Sequence, residues 1–390
     1  MLKRISALVL IFAFLFNIMP IFVKGAEEEK VDLNIKSKAV VLMDSSSGKV
    51  LYQKNMNDKL SLASVTKVMT ILLILEAIDN KIINMSDMVT ISDYASSMGG
   101  SQLYLEQGEM RSVEELLNAI IIESANDACA AMGEFIGGSI EKFILMMNEK
   151  AKSLGMKNTH FVNSNGLPAD NHYSSAYDIA LMTKEVCKYP DVFKISATWQ
   201  KTIKIGKNND KERLLNNTNK LLKMNDNVDG LKTGYTADAG HCISATGKKG
   251  DLRLIAVILN APDSNTRFEE ANKLLNYGFS NYKGTNIVTK GGGFGEIKIN
   301  KGYEDNVKVV AKDNFTVLSG KNENEKYTTD IKLDGIVMNA PVKEGQKVGV
   351  INIKEGSEFI GSVDLVIEKN VEKVNMITYV LNMFKEFIVI

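Results

Sequence analysis

Ser64 and Lys67 are a pair of residues that could supply a nucleophile and its base. A serine three residues before a lysine places both side chains on one helix face, so the lysine amine can reach the hydroxyl. The apolar run 68–78 predicts that helix, and its N-terminus would favour negative charge on the serine oxygen. This is the arrangement of an activated nucleophile. Taken alone, it also fits a capping serine followed by an exposed lysine.

Two further motifs with reactive side chains follow in chain order. Ser124-Ala125-Asn126 comes after an apolar helical run, and Lys232-Thr233-Gly234 lies in a strand-like stretch. Ser-x-x-Lys, Ser-x-Asn and Lys-Thr-Gly together are a signature of penicillin-binding proteins and serine β-lactamases. Each motif alone fits an ordinary turn or strand end. All three in this order favour a catalytic site.

One antiparallel sheet covered by helices is predicted to position these motifs. Strand-like patterns occur at 39–43, 50–52, 230–233, 241–246 and 252–259. Helical periodicity occurs at 64–80, 114–122, 140–154, 175–188 and 266–277. Because late strands accompany an early strand pair, with helices between them, a single layered α/β (α+β) domain over residues 31–282 is expected.

A separate small all-β domain is predicted over residues 286–368. Short alternating runs separated by Gly, Asn and Asp turns dominate this part of the chain. It contains no constellation of catalytic residue types. We interpret it as a spacer or packing module.

The N-terminus has the pattern of a secretory signal peptide, predicted at residues 1–25. Lys3 and Arg4 precede an apolar run at 5–23, and small residues follow it. An uncleaved anchor is the alternative, since the run is long. Asn17 and Pro20 interrupt the run and favour cleavage, so the protein is expected to be exported.

The last twenty residues, 371–390, predict an amphipathic helix. Apolar residues recur at helical spacing at Val374, Ile377, Leu381, Phe384 and Ile388. Such a helix can lie in a membrane interface. We therefore expect a contact with the membrane surface, and a helix docked on the β domain or in a dimer is the alternative.

Composition excludes several classes of function. The 390 residues carry 47 basic and 47 acidic side chains, so nothing indicates nucleic acid as a partner. Cys129, Cys187 and Cys242 form no CxxC pair, which argues against a disulfide scaffold and favours buried small side chains. The three histidines lack metal-site spacing, so neither a metal nor a cofactor is predicted.

The chain resembles the serine D-alanyl-D-alanine carboxypeptidases, which are low-molecular-weight penicillin-binding proteins of the S11 type. The resemblance lies in residues 62–70, 124–128, 172–178 and 231–236. It covers nearly the whole mature chain and implies a transpeptidase/β-lactamase-like catalytic domain, a β-rich domain and a C-terminal helix. Leu62 replaces a proline that is common in this family before Ala-Ser, a change expected to matter little because it precedes the helix.

The resemblance implies a catalytic role for three residues. Ser64 would attack the carbonyl between two terminal D-alanines to form an acyl-enzyme that water releases. Lys67 would act as base, with a pKa depressed by burial and by the positive charge of Lys232. Ser124 would relay a proton to the leaving amine.

Substrate-binding roles are implied in the same way. Lys232 and Thr233 would bind the terminal carboxylate, and Gly234 would let the substrate backbone approach the strand. The backbone N–H groups of Ser64 and Tyr235 would form an oxyanion hole. Asn126 would hold the substrate amide or orient Lys67. Arg267 would be an additional carboxylate contact or, alternatively, a surface charge.

Expected partners are peptidoglycan stem peptides ending in D-Ala-D-Ala and β-lactam antibiotics as covalent inhibitors. The expected location is the outer face of the cytoplasmic membrane or the cell wall space. A β-lactamase or esterase on the same fold is one alternative. Class A β-lactamases need a deacylating glutamate, and the loop 155–172 contains only Asp170 as an acid. A non-catalytic wall-binding protein is the other alternative, although all catalytic positions are filled.

Overall fold

A computed structural model describes residues 31–322 and 326–375. The predicted signal peptide and residues 376–390 of the predicted terminal helix lie outside the described residues. The described residues before Lys36 belong to a separate unit, in which the Asn34 N–H donates to Asp32 Oδ1 at 2.7 Å.

Residues 36–281 contain the predicted helices and strands together with several elements that were not predicted. In chain order they are β1 (Ala39–Asp44), β2 (Val50–Lys54), a 3₁₀ turn (Ala63–Thr66), α1 (Lys67–Asp79), β3 (Met88–Thr90), α2 (Asp93–Ser96), β4 (Met110–Ser112), α3 (Val113–Ile122), α4 (Asn126–Gly137), α5 (Ile140–Ser153), α6 (Ala176–Val186), α7 (Val192–Ser196), β5 (Gln200–Ile205), β6 (Lys211–Asn216), a 3₁₀ turn (Lys220–Lys223), β7 (Val228–Thr236), β8 (Gly240–Lys249), β9 (Leu252–Ala261) and α8 (Ser264–Asn281).

The central sheet has the order β2-β1-β9-β8-β7, and each neighbouring pair is antiparallel. The early strand pair therefore lies beside the late strands, which confirms the predicted single sheet. Strand β7, which carries the Lys-Thr-Gly motif, is at one edge. Edge position leaves one side of its backbone without a neighbouring strand, so an extended peptide can pair there.

Helix α1 lies at the centre of the region that residues 36–281 form. Val68, Met69, Ile71 and Leu72 are fully buried, and its apolar residues surround the whole helix. A helix that is hydrophobic all round must be enclosed by other elements. Helices α4 and α6 contact it, and α8 packs against β8 and β9. The start of α1, and with it the Ser-x-x-Lys motif, is thereby held in a closely packed interior.

Polar caps fix where several helices begin. Ser112 and Glu115 form a capping box at the start of α3, and Ser175 accepts from the Asp178 N–H at the start of α6. Asp263 caps α8 by accepting from two backbone N–H groups. The hairpin β5–β6 and helix α4 were not predicted.

A β-rich region follows α8 without a linker. Its strands are β10 (Tyr282–Val288), β11 (Gly293–Asn300), β12 (Asn306–Ala311), β13 (Phe315–Gly320), β14 (Tyr327–Leu333), β15 (Val337–Asn339), β16 (Lys347–Glu355) and β17 (Glu358–Ile367). The sheet β14-β16-β17-β12-β11-β15 encloses a core that includes Ile297, Val309, Ile351 and Leu365. The predicted all-β region is confirmed, and its first strand begins at Tyr282.

The last described residues continue this β-rich region. Val371 pairs with Val342, and Lys373 pairs with Gly302, so the first five residues of the predicted terminal helix are extended. None of the helices within 31–322 and 326–375 has the length and apolar character that crossing a bilayer requires.

A loop between α5 and α6 lies against the turn that carries Ser64. Gly166 in this loop has φ +86°, and a Cβ placed there would lie 1.9 Å from the carbonyl oxygen of Ala63. Gly155, in the same loop, has a similar φ of +73° but no atom within 4 Å of such a Cβ. The two glycines therefore share a left-handed conformation and differ in what surrounds them.

Gly166→Ala should destabilise the protein far more than Gly155→Ala. The left-handed backbone costs an alanine about 1–2 kcal/mol at either position. At Gly166 the methyl group must also displace the loop or the turn, so we expect a loss of about 3 kcal/mol or more. Urea unfolding of both variants measures the difference. Equal losses would contradict the close contact between loop and turn.

Candidate active site

Ser64 lies in the 3₁₀ turn directly before α1, and not in the α-helix that the sequence predicted from this residue onwards. In a 3₁₀ turn the side chains at i and i+3 are aligned, so the predicted contact with Lys67 forms all the same. Ala63, the preceding residue, has φ +47°, which is uncommon for a residue with a Cβ.

The Lys67 amine is fully buried and has three oxygen partners. Its Nζ lies 3.0 Å from Ser64 Oγ, 2.6 Å from Asn126 Oδ1 and 2.6 Å from the backbone oxygen of Asn165. These acceptors belong to the turn, to helix α4 and to the loop before α6. The Ser64–Lys67 pair is therefore held by three separate elements.

Burial changes the protonation of both lysines in the site. Loss of hydration lowers the pKa of Lys67 to about 8, while Cys129 and Asp127 act in the opposite direction. The pKa of Lys232 is lowered well below its usual value, first by burial and then by the positive charges of Lys67 and Arg267. Burial is thus the main reason that Lys67 can be neutral near physiological pH.

The Ser-x-Asn motif lies at the start of α4, where Asn126 contacts Lys67. Ser124 has φ +67°, and its buried Oγ has no hydrogen-bond partner within residues 31–322 and 326–375. Asn126 accepts from Lys67 and donates through Nδ2 to the Gly99 oxygen at 2.6 Å. Both ends of the Asn126 amide are therefore in use, and the contact present is the one that orients Lys67.

The Lys-Thr-Gly motif lies on β7 beside the Ser64 turn. Lys232 is buried and donates to the Thr233 oxygen at 3.0 Å, and the Thr233 hydroxyl lies 2.6 Å from that of Thr218. A Cβ at Gly234 would lie 2.9 Å from the Ser64 nitrogen. The close neighbour of Gly234 is thus the turn that carries Ser64.

Tyr235 and Arg267 make different contacts at the end of β7. The Tyr235 ring is exposed and stacks on His241 with centroids 4.4 Å apart. Arg267 is buried and donates to the backbone oxygens of Gly234 at 3.0 Å and Cys242 at 3.2 Å. These contacts support the strand. A contact between Arg267 and a substrate carboxylate stays a prediction.

Three residues of the site were missed in the sequence. Asn165 contributes only a backbone oxygen, which every residue type has, so its side chain gave no signal. Gly166 is required by a contact between distant segments, and Thr218 lies in a segment without a motif. His172 was noted only as part of a family-like segment, although its ring contacts Thr66 Oγ1 at 2.7 Å.

A cavity of about 550 Å³ adjoins the Ser64 turn. It is lined by residues 59–63, by 166–173 and by Thr236 and Asp238. Thr236 ends β7, so the cavity continues from the edge strand in the direction away from Lys232. An extended chain lying along β7 would enter it.

Comparison with known proteins identifies the family. Residues 24–263 match the model described as D-alanyl-D-alanine carboxypeptidase, and residues 282–373 match the C-terminal domain of penicillin-binding protein 5. The chain is 39% identical to the D-alanyl-D-alanine carboxypeptidase DacF of Bacillus subtilis over 97% of each chain.

Solved structures agree with this match. Penicillin-binding protein 5 from Haemophilus influenzae superposes with a TM-score of 0.65 at 30% identity, covering 88% of this chain and 99% of that one. Penicillin-binding protein D2 from Listeria monocytogenes, in its ampicillin-bound form, gives 0.57 at 31% identity and covers 64% of this chain and 100% of its own. The chain belongs to the D-alanyl-D-alanine carboxypeptidase family.

Proposed function

We propose that this protein is a serine D,D-carboxypeptidase that removes the terminal D-alanine from peptidoglycan stem peptides through an acyl-enzyme on Ser64. The observation that carries the proposal is the buried Lys67 amine, 3.0 Å from Ser64 Oγ and with a pKa lowered to about 8. A buried neutral amine in contact with a serine hydroxyl is a competent general base.

Acylation begins with proton transfer from Ser64 to Lys67. A neutral amine has two N–H donors and one lone pair. Asn126 Oδ1 and the Asn165 oxygen, both at 2.6 Å, take the two donors, which leaves the lone pair for the more distant Ser64 hydroxyl. The serine oxygen then attacks the carbonyl carbon of the penultimate D-alanine.

The negative charge that develops on the carbonyl oxygen needs fixed donors. The backbone N–H groups of Ser64 and Tyr235 are the proposed donors, because β7 runs so close to the turn that a Cβ at Gly234 would lie 2.9 Å from the Ser64 nitrogen. Lys232 and Thr233 would bind the terminal carboxylate. That negative charge would favour the charged form of Lys232, whose pKa is lowered without substrate.

Ser124 is the proposed proton relay to the leaving amine. Its buried hydroxyl has no partner in the described part of the chain, so it is available to a substrate nitrogen. Breakage of the peptide bond releases D-alanine and leaves the rest of the peptide as an ester on Ser64. Water then attacks the ester carbonyl, and Ser64 recovers its proton.

The substrate is proposed to lie extended along β7. With its carboxylate at Thr233 and its reacting carbonyl at Tyr235, the upstream residues continue past Thr236 into the adjoining cavity. β-Lactam antibiotics are proposed covalent inhibitors at Ser64, in keeping with the ampicillin-bound relative. We also propose export across the membrane and contact of residues 376–390 with its outer surface, since Val371 and Val374 are buried in the β-rich region.

The two alternative functions are not favoured. In the loop 155–172 no glutamate is available to activate a deacylating water, and Lys67 instead meets a backbone oxygen from that loop. A wall-binding protein without catalysis would not need a buried lysine beside an accessible serine.

Ser64→Ala should abolish D-alanine release from a pentapeptide ending in D-Ala-D-Ala, because no other group can form the acyl-enzyme. The assay is chromatographic detection of free D-alanine, with mass spectrometry of the intact protein after incubation with a penicillin. Wild type should carry one adduct, mapped to Ser64, and the variant none. Ser153→Ala, a change at an exposed serine at the end of α5, is the control. Unchanged release of D-alanine by the Ser64 variant would contradict the mechanism.

The rate of acylation by a penicillin should rise with pH and then level off near pH 8. Lys67 loses its proton as pH rises through its pKa of about 8, so the base form increases about tenfold per pH unit well below that value. Stopped-flow labelling across this range measures the profile. Lys67→Arg, which keeps a permanent positive charge, should be inactive throughout. A flat wild-type profile would exclude Lys67 as the base.

A further inference from the structure

A chain of hydrogen bonds connects the loop before α6 with the peptide group that precedes Ser64. The Val162 N–H donates to His172 Nδ1 at 3.1 Å. His172 Nε2 lies 2.7 Å from Thr66 Oγ1, and Thr66 Oγ1 donates to the Ala63 oxygen at 2.8 Å. Thr66 is fully buried and His172 nearly so.

The direction of every bond in this chain follows from its first member. A backbone N–H can only donate, so Nδ1 of His172 must accept and the ring proton is on Nε2. Nε2–H therefore donates to Thr66 Oγ1, which leaves the threonine proton for the Ala63 oxygen. Burial lowers the pKa of His172 to about 4, so the ring is neutral near pH 7, as this assignment requires.

The last acceptor is joined covalently to the proposed oxyanion donor. The Ala63 carbonyl and the Ser64 N–H belong to one planar peptide group and point in opposite directions. A hydrogen bond to the carbonyl polarises the group and strengthens its N–H as a donor. It also fixes the plane, and Ala63 needs such support because its φ of +47° is unfavourable for a residue with a Cβ.

We propose that Thr66 and His172 are positioning residues that orient and polarise the Ala63–Ser64 peptide group, so that the Ser64 N–H stabilises the oxyanion. The proposal rests on the proposed acyl transfer at Ser64. Neither side chain touches the reacting atoms, and both act through the backbone.

The variant Thr66→Val tests the central member of this chain of hydrogen bonds. Valine keeps the shape of threonine and removes the hydroxyl, whereas Thr66→Ser keeps the hydroxyl. Loss of a whole oxyanion donor costs about 100-fold or more, so weakening one should slow acylation by benzylpenicillin about tenfold. KM for the peptide substrate should stay the same while kcat falls. Thr66→Ser should recover most of the rate.

A second readout separates oxyanion stabilisation from general loss of structure. A peptide boronic acid forms a tetrahedral adduct with a reactive serine and mimics the transition state. In Thr66→Val the affinity for this boronic acid should fall by the same factor as the acylation rate. The thermal unfolding midpoint of each variant is measured alongside. A merely structural role would lower the midpoint without this matched loss.

His172→Leu should slow acylation by the same factor as Thr66→Val. The double variant should be no slower than either single variant, because the same chain of hydrogen bonds is broken in each case.

His160→Leu is the matched control, since that exposed histidine lies in the same loop and bonds to Asn171 instead. Its acylation rate should equal that of wild type.

The results distinguish this inference from the proposed function. If wild type forms no adduct at Ser64, the proposed function fails. If wild type forms it and Thr66→Val reacts equally fast, or if the losses in the double variant multiply, the positioning role is overturned.

Discussion

The removal of the Lys67 amine from water is the constraint on which the rest of the site depends. An ammonium group without hydration is unfavourable, so burial lowers its pKa to about 8 and makes a neutral base accessible. The three oxygens around Nζ come from the Ser64 turn, helix α4 and the loop before α6. The Ser64–Lys67 contact, and with it the proposed catalytic pair, therefore exists only when all three elements are packed together, which is why α1 must start in the interior of the domain.

The position of strand β7 beside the Ser64 turn is a second constraint on the site. It brings a buried Lys232 into the electrostatic range of Lys67 and places Gly234 against the Ser64 nitrogen. Arg267 supports the strand by donating hydrogen bonds to the backbone oxygens of Gly234 and Cys242. The proposed nucleophile, base and oxyanion donors thus share one packed framework, and little reorganisation would be needed when charge develops in the transition state.

Much of this arrangement could be predicted from the sequence, because strands, long apolar helices and the three motifs are local patterns. The predicted sheet and the β-rich region were confirmed on that basis. The contribution of Asn165 could not be predicted, since a backbone oxygen has no signature in side chains. The 3₁₀ geometry at Ser64 and the need for glycine at position 166 arise from contacts between distant segments, which periodicity does not report. The backbone oxygens that Arg267 contacts could not be predicted either, because the sequence shows only a charged residue near the start of a helix.

The central claim is that Lys67 is the base because burial keeps its amine neutral for part of the time. The direct measurement is an NMR titration of the wild-type protein labelled with ¹³C at the lysine ε-carbons, with the Lys67 signal assigned from the Lys67→Arg variant. We expect a midpoint of about 8 for this residue. A midpoint near the ordinary lysine value of about 10.4 would contradict it.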